Sequence, residues 1–417
     1  MKKTQSLLSS VFLLSVLSVS ACKDDTTPGT DATDMAAPEA DMTLLPDLTD
    51  PPDLTVLPPD LTPVCGFGQT FSAGSCTCDA THPVSCAGAT HCCAVTQACL
   101  TPGPRGETRC SLPAQGRARH FMAYDKVRDR SVTRGGLCAM SGVDVLCQDQ
   151  WQLTPATWDQ QTVANPPAAR YDGTFIWDDN AKGLLLFGGL TILNNTNSQT
   201  NEMWLWDGTT WTKKTPTTSP SARYAHGMAF DALRKVAVLF GGVAVGGNAI
   251  GETWEWNNTQ WIQRTTATVP NVRSDHRMVY DTKDKRILMH GGFVAGQYSR
   301  ETWSYDGSNW TQLPEDTALP KRVKFGMAYD ENRQVTVVFG GEILNGTAAA
   351  LSNDTWEFDG TKWTKKTPGT PPGNRVFPAM FYDAGRKQVL LFGGDPINAD
   401  QTKDLWAWDG TNWTQLY

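Results

Sequence analysis

The chain has 417 residues, 40% hydrophobic and 19% charged, with a net charge of −7. That length allows two or three domains, and the composition suits a soluble globular protein. The charge balance shows no bias toward nucleic acid, and no stretch after the N-terminal leader is apolar enough to span a bilayer.

Residues 1–22 read as an export signal. Lys2 and Lys3 supply the positive end, and Leu7 to Leu17 an apolar run too short for a stable anchor. Val19-Ser20-Ala21-Cys22 resembles a bacterial lipobox. The resemblance implies that Cys22 becomes the lipidated N-terminus after cleavage; the alternative is an ordinary signal peptide with an incidental cysteine. Multiple acyl chains hold a protein at a membrane, whereas one does not. Lys23 follows the cysteine, which by analogy with enterobacterial lipoproteins implies the outer membrane, facing either the periplasm or the cell surface.

Residues 23–64 read as a disordered tether. It contains three PDLT copies, at Pro46, Pro52 and Pro59, and ten acids against one lysine. Such a segment cannot bury enough apolar surface to offset its ordering entropy, and its prolines and like charges keep it extended. The leader's two lysines and the tether's −9 account for the whole −7. The remainder therefore sums to zero.

Residues 65–116 read as a small Cys-rich module. Eight cysteines, Cys65, Cys76, Cys78, Cys86, Cys92, Cys93, Cys99 and Cys110, fall within 46 residues. An even count in an exported segment with little core implies four disulfides of undetermined connectivity. The alternative is a zinc site using His82 and His91, against which stand an oxidising compartment and an unfamiliar spacing. The adjacent Cys92-Cys93 faintly resembles knottin-like or EGF-like modules, a likeness that carries no function.

From Arg117 onward one unit occurs six times. Each copy opens on an Arg (Arg117, Arg170, Arg223, Arg273, Arg322, Arg375) and reaches an aromatic-Asp pair seven residues later, as at Tyr382-Asp383. Ten residues after each Asp a Gly-Gly pair opens, at Gly135, Gly188, Gly241, Gly291, Gly340 and Gly393. Two tryptophans seven residues apart follow, from Trp151 and Trp158 in the first copy to Trp406 and Trp413 in the last. Only the gap between the glycines and the first Trp varies, from 12 to 16 residues. Fixed internal spacing with one elastic loop, at a period near 50, is the signature of a repeat array. Within the last unit, VFPAMFY, KQVLLF, LWAW and a strand begun by Trp413 read as four short strands. In the first unit Ser131-Val132-Thr133-Arg134 stands where the others have an apolar run, and Cys138 and Cys147 in its elastic loop read as a disulfide.

The glycine pair ending a strand, the later aromatic pair and the opening Arg resemble kelch repeats. The resemblance implies an all-β chain: a six-bladed kelch-type β-propeller over residues 117–417, one four-stranded blade per unit, preceded by the disulfide-rich module and the tether.

Strand direction then places the elastic loops and the inter-blade connections on one face, and the monotonous Asp-led turns on the other. Variable loops on a rigid scaffold make a binding surface, so the elastic-loop face is the expected site. Two rings lie there. One is the six opening arginines; the other is an acid two residues before each first Trp: Asp149, Glu202, Glu252, Glu301, Asp354 and Asp404. Either the arginines line a mouth for an acidic ligand, as in some kelch propellers, or each pairs with an acid as a bidentate fork. Six against six favours pairing, because buried charges need partners. His120, His226 and His276, three residues after their arginines, are either a partial metal or proton-transfer cluster or satisfied rim side chains; Gly173, Phe325 and Pro378 stand there in the other units. His290 reads as packing.

No HExxH, GxSxG or Walker A motif is present, and the WDGTTW and WDGTNW strings lack the Asp-Gly spacing of a sialidase Asp box. The sequence therefore assigns no catalytic residue, no metal and no cofactor. Its first functional reading is a lipid-anchored binding protein with a protein or glycan ligand on the loop face, touching the membrane only through its N-terminal lipid. The alternatives are a periplasmic propeller enzyme acting on a sugar, epimerase-like or oxidase-like, and a structural envelope component.

Overall fold

The computed structural model describes residues 114–417 apart from 141–142, 155–156, 194–195, 346–347 and 398, together with four short strands before them. Gln69–Ser72 pairs antiparallel with Ser75–Cys78, and Ala98–Cys99 with Cys110–Ser111, setting Cys99 opposite Cys110. Cys22, the tether and the side chains of the eight module cysteines lie outside the described residues.

The last unit shows how the sequence pattern becomes a sheet. Val389, Leu390, Leu391 and Phe392 are fully buried in the strand Gln388–Phe392, because both faces of that strand are covered by neighbouring sheets. It pairs with Ala379–Asp383 on the inside and Leu405–Trp408 on the outside, and Trp413–Gln415 forms the outer edge. Six such four-stranded antiparallel sheets follow one another along the described chain.

The expected first strand, VFPAMFY, is interrupted. Phe377 has φ +53 and Val376 leaves to bridge Asp395, so the inner strand begins only at Ala379. A left-handed residue cannot continue a pleated strand. The first unit's polar run does form its strand, Arg130–Arg134, with Ser131 and Thr133 fully buried. Thr133 Oγ1 donates to the Phe121 carbonyl at 2.9 Å, which satisfies that hydroxyl inside the sheet.

Two turn types recur at the end opposite the elastic loops. The Asp closing each inner strand turns inward to cap the following hairpin: Asp231 Oδ1 accepts the amides of Leu233 and Arg234 at 3.0 and 2.9 Å. In the Asp-Gly turns, Asp207 accepts the amides of Thr209 and Thr210 and both their hydroxyls. That carboxylate is saturated by its own turn.

The elastic loops are not bare. Leu190–Leu193 pairs with Thr196–Gln199, Phe293–Val294 with Gln297–Tyr298, and Glu342–Asn345 with Ala348–Leu351. Segments after the glycines bond back to the opening of their unit, as in Arg223 opposite Ala244, Arg322 opposite Ile343 and the single bridges Tyr171 to Leu190 and Val376 to Asp395. In the first unit Arg117 lies opposite Cys138, and Cys138 and Cys147 are disulfide-bonded with Cα atoms 5.6 Å apart.

Apolar side chains fill the gaps between sheets. Trp158 of the first unit packs on Phe392 of the last, ring centroids 4.8 Å apart, within one buried cluster that Tyr417 also joins. Last and first sheets are therefore packed together as neighbours. Among the described residues no helix is long and apolar enough to cross a membrane.

Candidate functional site

The six opening arginines are buried to 2% exposure or less. Each reaches its acid: Arg117 to Asp149 at 2.9 Å, Arg170 to Glu202 and Arg223 to Glu252 at 2.6 Å. Arg273 reaches Glu301 at 2.5 Å, Arg322 reaches Asp354 at 3.0 Å, and Arg375 reaches Asp404 at 2.6 Å. Each acid also accepts the indole N–H of the Trp two residues on, from Trp151 at 2.5 Å to Trp204 at 3.2 Å. In five units the guanidinium further donates to the carbonyl of the first paired glycine, as Arg223 does to Gly241 at 3.1 Å. In five units Arg, acid, Trp and Gly thus form one knot around an enclosed guanidinium, and in the first unit Arg117, Asp149 and Trp151 do so without the glycine; the acids themselves stay 11–34% exposed. Burial pushes the Glu202 carboxyl up, but Lys213, Arg170 and Trp204 outweigh it and hold it down at about 2. With every guanidinium enclosed and paired, this ring offers nothing to a ligand.

The histidines are likewise inside. His226 and His276 are 2% and 0% exposed. His120, His226 and His276 stand edge-on to Phe392, Phe187 and Phe240 of the neighbouring units, at 5.3, 5.5 and 5.9 Å between centroids. His226 Nε2 lies 2.7 Å from Thr174 Oγ1, and His290 Nδ1 is 3.0 Å from Thr302 Oγ1. Burial above all, then nearby arginines, pushes His226 down to about 3 and the other three well below the usual imidazole range. Among the described residues no group of three or more His, Cys, Asp or Glu is placed to hold a metal.

A position that lines the central cavity in five units, alongside His120 and His226, lies two residues after the opening Arg: Arg119, Asp172, Ala225, Asp275 and Phe377, with Lys324 at the same place in the fifth unit. All six have positive φ, between 53 and 59°. Their backbones form a closed ring of hydrogen bonds, each amide donating to the carbonyl of the unit before it. Asp172 donates to Arg119 at 3.2 Å, Ala225 to Asp172 at 2.8, and Asp275 to Ala225 at 2.9. Lys324 donates to Asp275 at 3.4, Phe377 to Lys324 at 2.7, and Arg119 back to Phe377 at 3.3 Å. The left-handed backbone turns each amide and carbonyl sideways to its neighbours, which leaves the side chain free to vary. This ring went unseen in the sequence because its residue types differ from unit to unit; counting two forward from the constant Arg would have found it.

Its side chains make a charged mouth. The Arg119 guanidinium bonds Asp172 at 2.5 Å and stacks 3.7 Å over Phe377, so it touches three units. Lys324 bonds Glu342 at 3.0 Å, and the Tyr298 hydroxyl donates to Glu342 at 2.6 Å. Arg277 enters from the start of its inner strand, donating only to the His276 carbonyl at 3.2 Å. Burial lowers the Arg277 guanidinium, against the pull of Asp275 and Asp172. Burial likewise pushes the Asp172 carboxyl up, partly countered by Arg119.

Below the mouth a cavity of about 320 Å³ runs along the inner strands, lined from Arg119 and Asp275 at one end to Lys126 and Glu331 at the other. Lys126 and Glu331 pair at 2.8 Å, tying the first unit to the fifth across that far end. The end lined by Arg119 and Asp275 lies on the side of the hairpins and loops after the glycine pairs, where Ile192, Val245, Phe293 and Ile397 are exposed.

Comparison with known proteins agrees with this architecture. Residues 124–315 match the KLHDC2/KLHL20/DRC7 Kelch-repeats domain. Comparison with curated proteins gives no match. Among solved structures, that of YjhT is similar over 73% of this chain and 98% of its own, with TM-score 0.58 and 14% identity, a likeness in fold alone. Residues 124–315 thus resemble kelch repeats, and the described residues fold as repeated four-stranded sheets consistent with a β-propeller.

Proposed function

We infer that this is an exported, lipid-anchored envelope protein whose six-bladed propeller presents its hairpin face to a protein partner. The observation that carries the reading is the contrast between framework and face. Arginines, acids, tryptophans and glycines repeat because they are bonded to one another around an enclosed guanidinium. What differs between units gathers around one mouth, where Ile192, Val245, Phe293 and Ile397 are 39–68% exposed on hairpins or loops after the glycines. Apolar side chains held out by rigid hairpins around a polar centre suit a protein interface, in which apolar anchors are buried inside a polar surround. The kelch-repeat match supports a protein partner as well. The leader, the Cys22 lipobox and the acidic tether support the reading of an exported, lipid-anchored chain.

Affinity capture from the native envelope with wild-type protein and with Val245→Asp/Phe293→Asp tests the surface. Loss of captured partners from a normally folded double variant is expected; retention of all of them removes the claim. The anchor is tested separately. Cys22→Ser should release the protein from the membrane fraction, and a variant that stays there would exclude lipidation at this position.

A further inference from the structure

Ionic pairing at the channel mouth is incomplete. Three cations and three anions meet there: Arg119, Arg277 and Lys324 against Asp172, Asp275 and Glu342. Two pairs form, Arg119 with Asp172 and Lys324 with Glu342. Arg277 and Asp275 are left, and no ion pair within 4 Å joins either of them to any described residue. Asp275 accepts only the hydroxyl of its own neighbour Ser274, at 3.2 Å. Arg277 donates only to a backbone carbonyl.

The repeat explains why Arg277 has no partner. At its position in the other five units stand Phe121, Thr174, Gly227, Gly326 and Ala379, so no acid meets it at its own level. The carboxylates that act on it, Asp275 and Asp172, belong to the ring two residues after the opening arginines, whereas Arg277 stands four after its own. A guanidinium in a half-enclosed cavity has lost part of its hydration, and a bidentate carboxylate is the partner that restores it best. A ligand carrying only negative charge would meet Asp275 and Asp172 on its way in. One carrying a positive group as well would satisfy Asp275 while its carboxylate reached Arg277, leaving the mouth's charge balance at zero.

We propose that the channel mouth binds a small zwitterion of the amino-carboxylate class, its carboxylate on Arg277 and its ammonium on Asp275. The size follows from the cavity of about 320 Å³, at the small end for ligand pockets. The inference rests on reading this mouth as part of the binding face, and it names what the centre of that face takes.

The test is calorimetric titration of the full chain with glycine, β-alanine and 4-aminobutyrate, each also as its N-acetyl and its carboxamide derivative. At least one zwitterion should bind, and either cap should weaken it by about tenfold or more. Arg277→Gln should erase the difference between free and amidated carboxyl, and Asp275→Asn the difference between free and acetylated amine. The wild-type ligand series decides the matter even if a variant folds poorly. Equal binding of capped and uncapped forms, or no binding of any zwitterion at millimolar concentration, overturns the proposal. Partner capture through Val245 and Phe293 would survive that result, so the two failures are distinguishable.

Discussion

Gly393 sits against the Arg117 carbonyl: a Cβ added to it would stand 2.4 Å from that oxygen, and the next amide, Gly394, donates to the same oxygen at 2.9 Å. This is how the last unit meets the first, without exchange of a strand. The same contact recurs between successive units, for instance Gly188 against the Arg223 carbonyl at 2.7 Å. The pair is glycine for two reasons: φ is +66 and +116°, and a backbone passes where a side chain would begin. Gly393→Ala should therefore cost more than the 1–2 kcal/mol or so of left-handed strain alone. Gly246 supplies the control, with φ +91 and nothing within 4 Å of where a Cβ would stand; Gly246→Ala should show only the strain. Urea unfolding of both variants measures the difference. Equal losses would show that crowding at the seam is not what requires glycine.

The knots make a second prediction. Arg223 is fully enclosed while Glu252 is 34% exposed. Glu252→Leu leaves a guanidinium without its carboxylate and should destabilise by about 3–5 kcal/mol. Arg223→Met removes the charge but strips donors from Ser221 and Gly241. Combining the two should recover about 1–3 kcal/mol relative to the sum. A double-mutant cycle that comes out additive would mean that the two groups do not act as a pair.

Much of this was legible in the chain. The repeat could be read because each constant residue is locked to others by burial: Arg375 to Asp404, Asp404 to Trp406, Arg375 to Gly393. Equal numbers of arginines and acids favour pairing over ligand binding for the same reason of burial. What escaped was what does not repeat. Phe377 breaks its strand through backbone conformation, which no residue type announces there. Arg119, Asp275 and Arg277 matter because neighbouring units hold something else at their positions. Side chains at an exposed site are released from packing, so periodicity cannot mark them.

The enclosed histidines predict an acid-sensitive fold. Unfolded, an imidazole takes its proton near pH 6.5; folded, burial and then Arg223 and Arg277 keep His226 neutral down to about 3. Below pH 6.5 the unfolded chain binds more protons, so stability falls as pH drops from about 6.5 toward 3, with no such loss above 6.5. Each histidine contributes up to about 1.4 kcal/mol per pH unit in that window. Paired carboxylates such as Glu202, held down at about 2, add their loss only below about pH 4.5, so in the interval between, the loss comes from the histidines, offset in part by carboxyls that burial raises, such as Asp172. His276→Phe, which places there the residue that the fifth unit has at Phe325, should flatten the stability profile between pH 6.5 and 5. An unchanged slope in urea titrations across that range would show that His276 is not enclosed as a neutral ring.

The sheets are also joined by a bond that some junctions lack. The Trp413 indole donates to Thr355 Oγ1 at 2.9 Å, Trp363 to Thr302 at 3.1 Å and Trp310 to Thr253 at 2.9 Å, each across a sheet boundary. At two junctions the threonine position holds Met203 or Leu405, and the facing Trp261 and Trp158 indole nitrogens are buried without a partner. The fold therefore tolerates the unmade bond when a larger apolar side chain fills the space. Thr355→Val keeps the shape but not the acceptor, so it leaves the Trp413 N–H unpaired without adding packing. It should cost about 1–3 kcal/mol. Thr355→Leu, which imitates the junction at Leu405, should recover part of that loss through the area it buries. If valine proves as stable as threonine in thermal and urea unfolding, the indole bonds contribute nothing, and apolar packing alone joins the sheets.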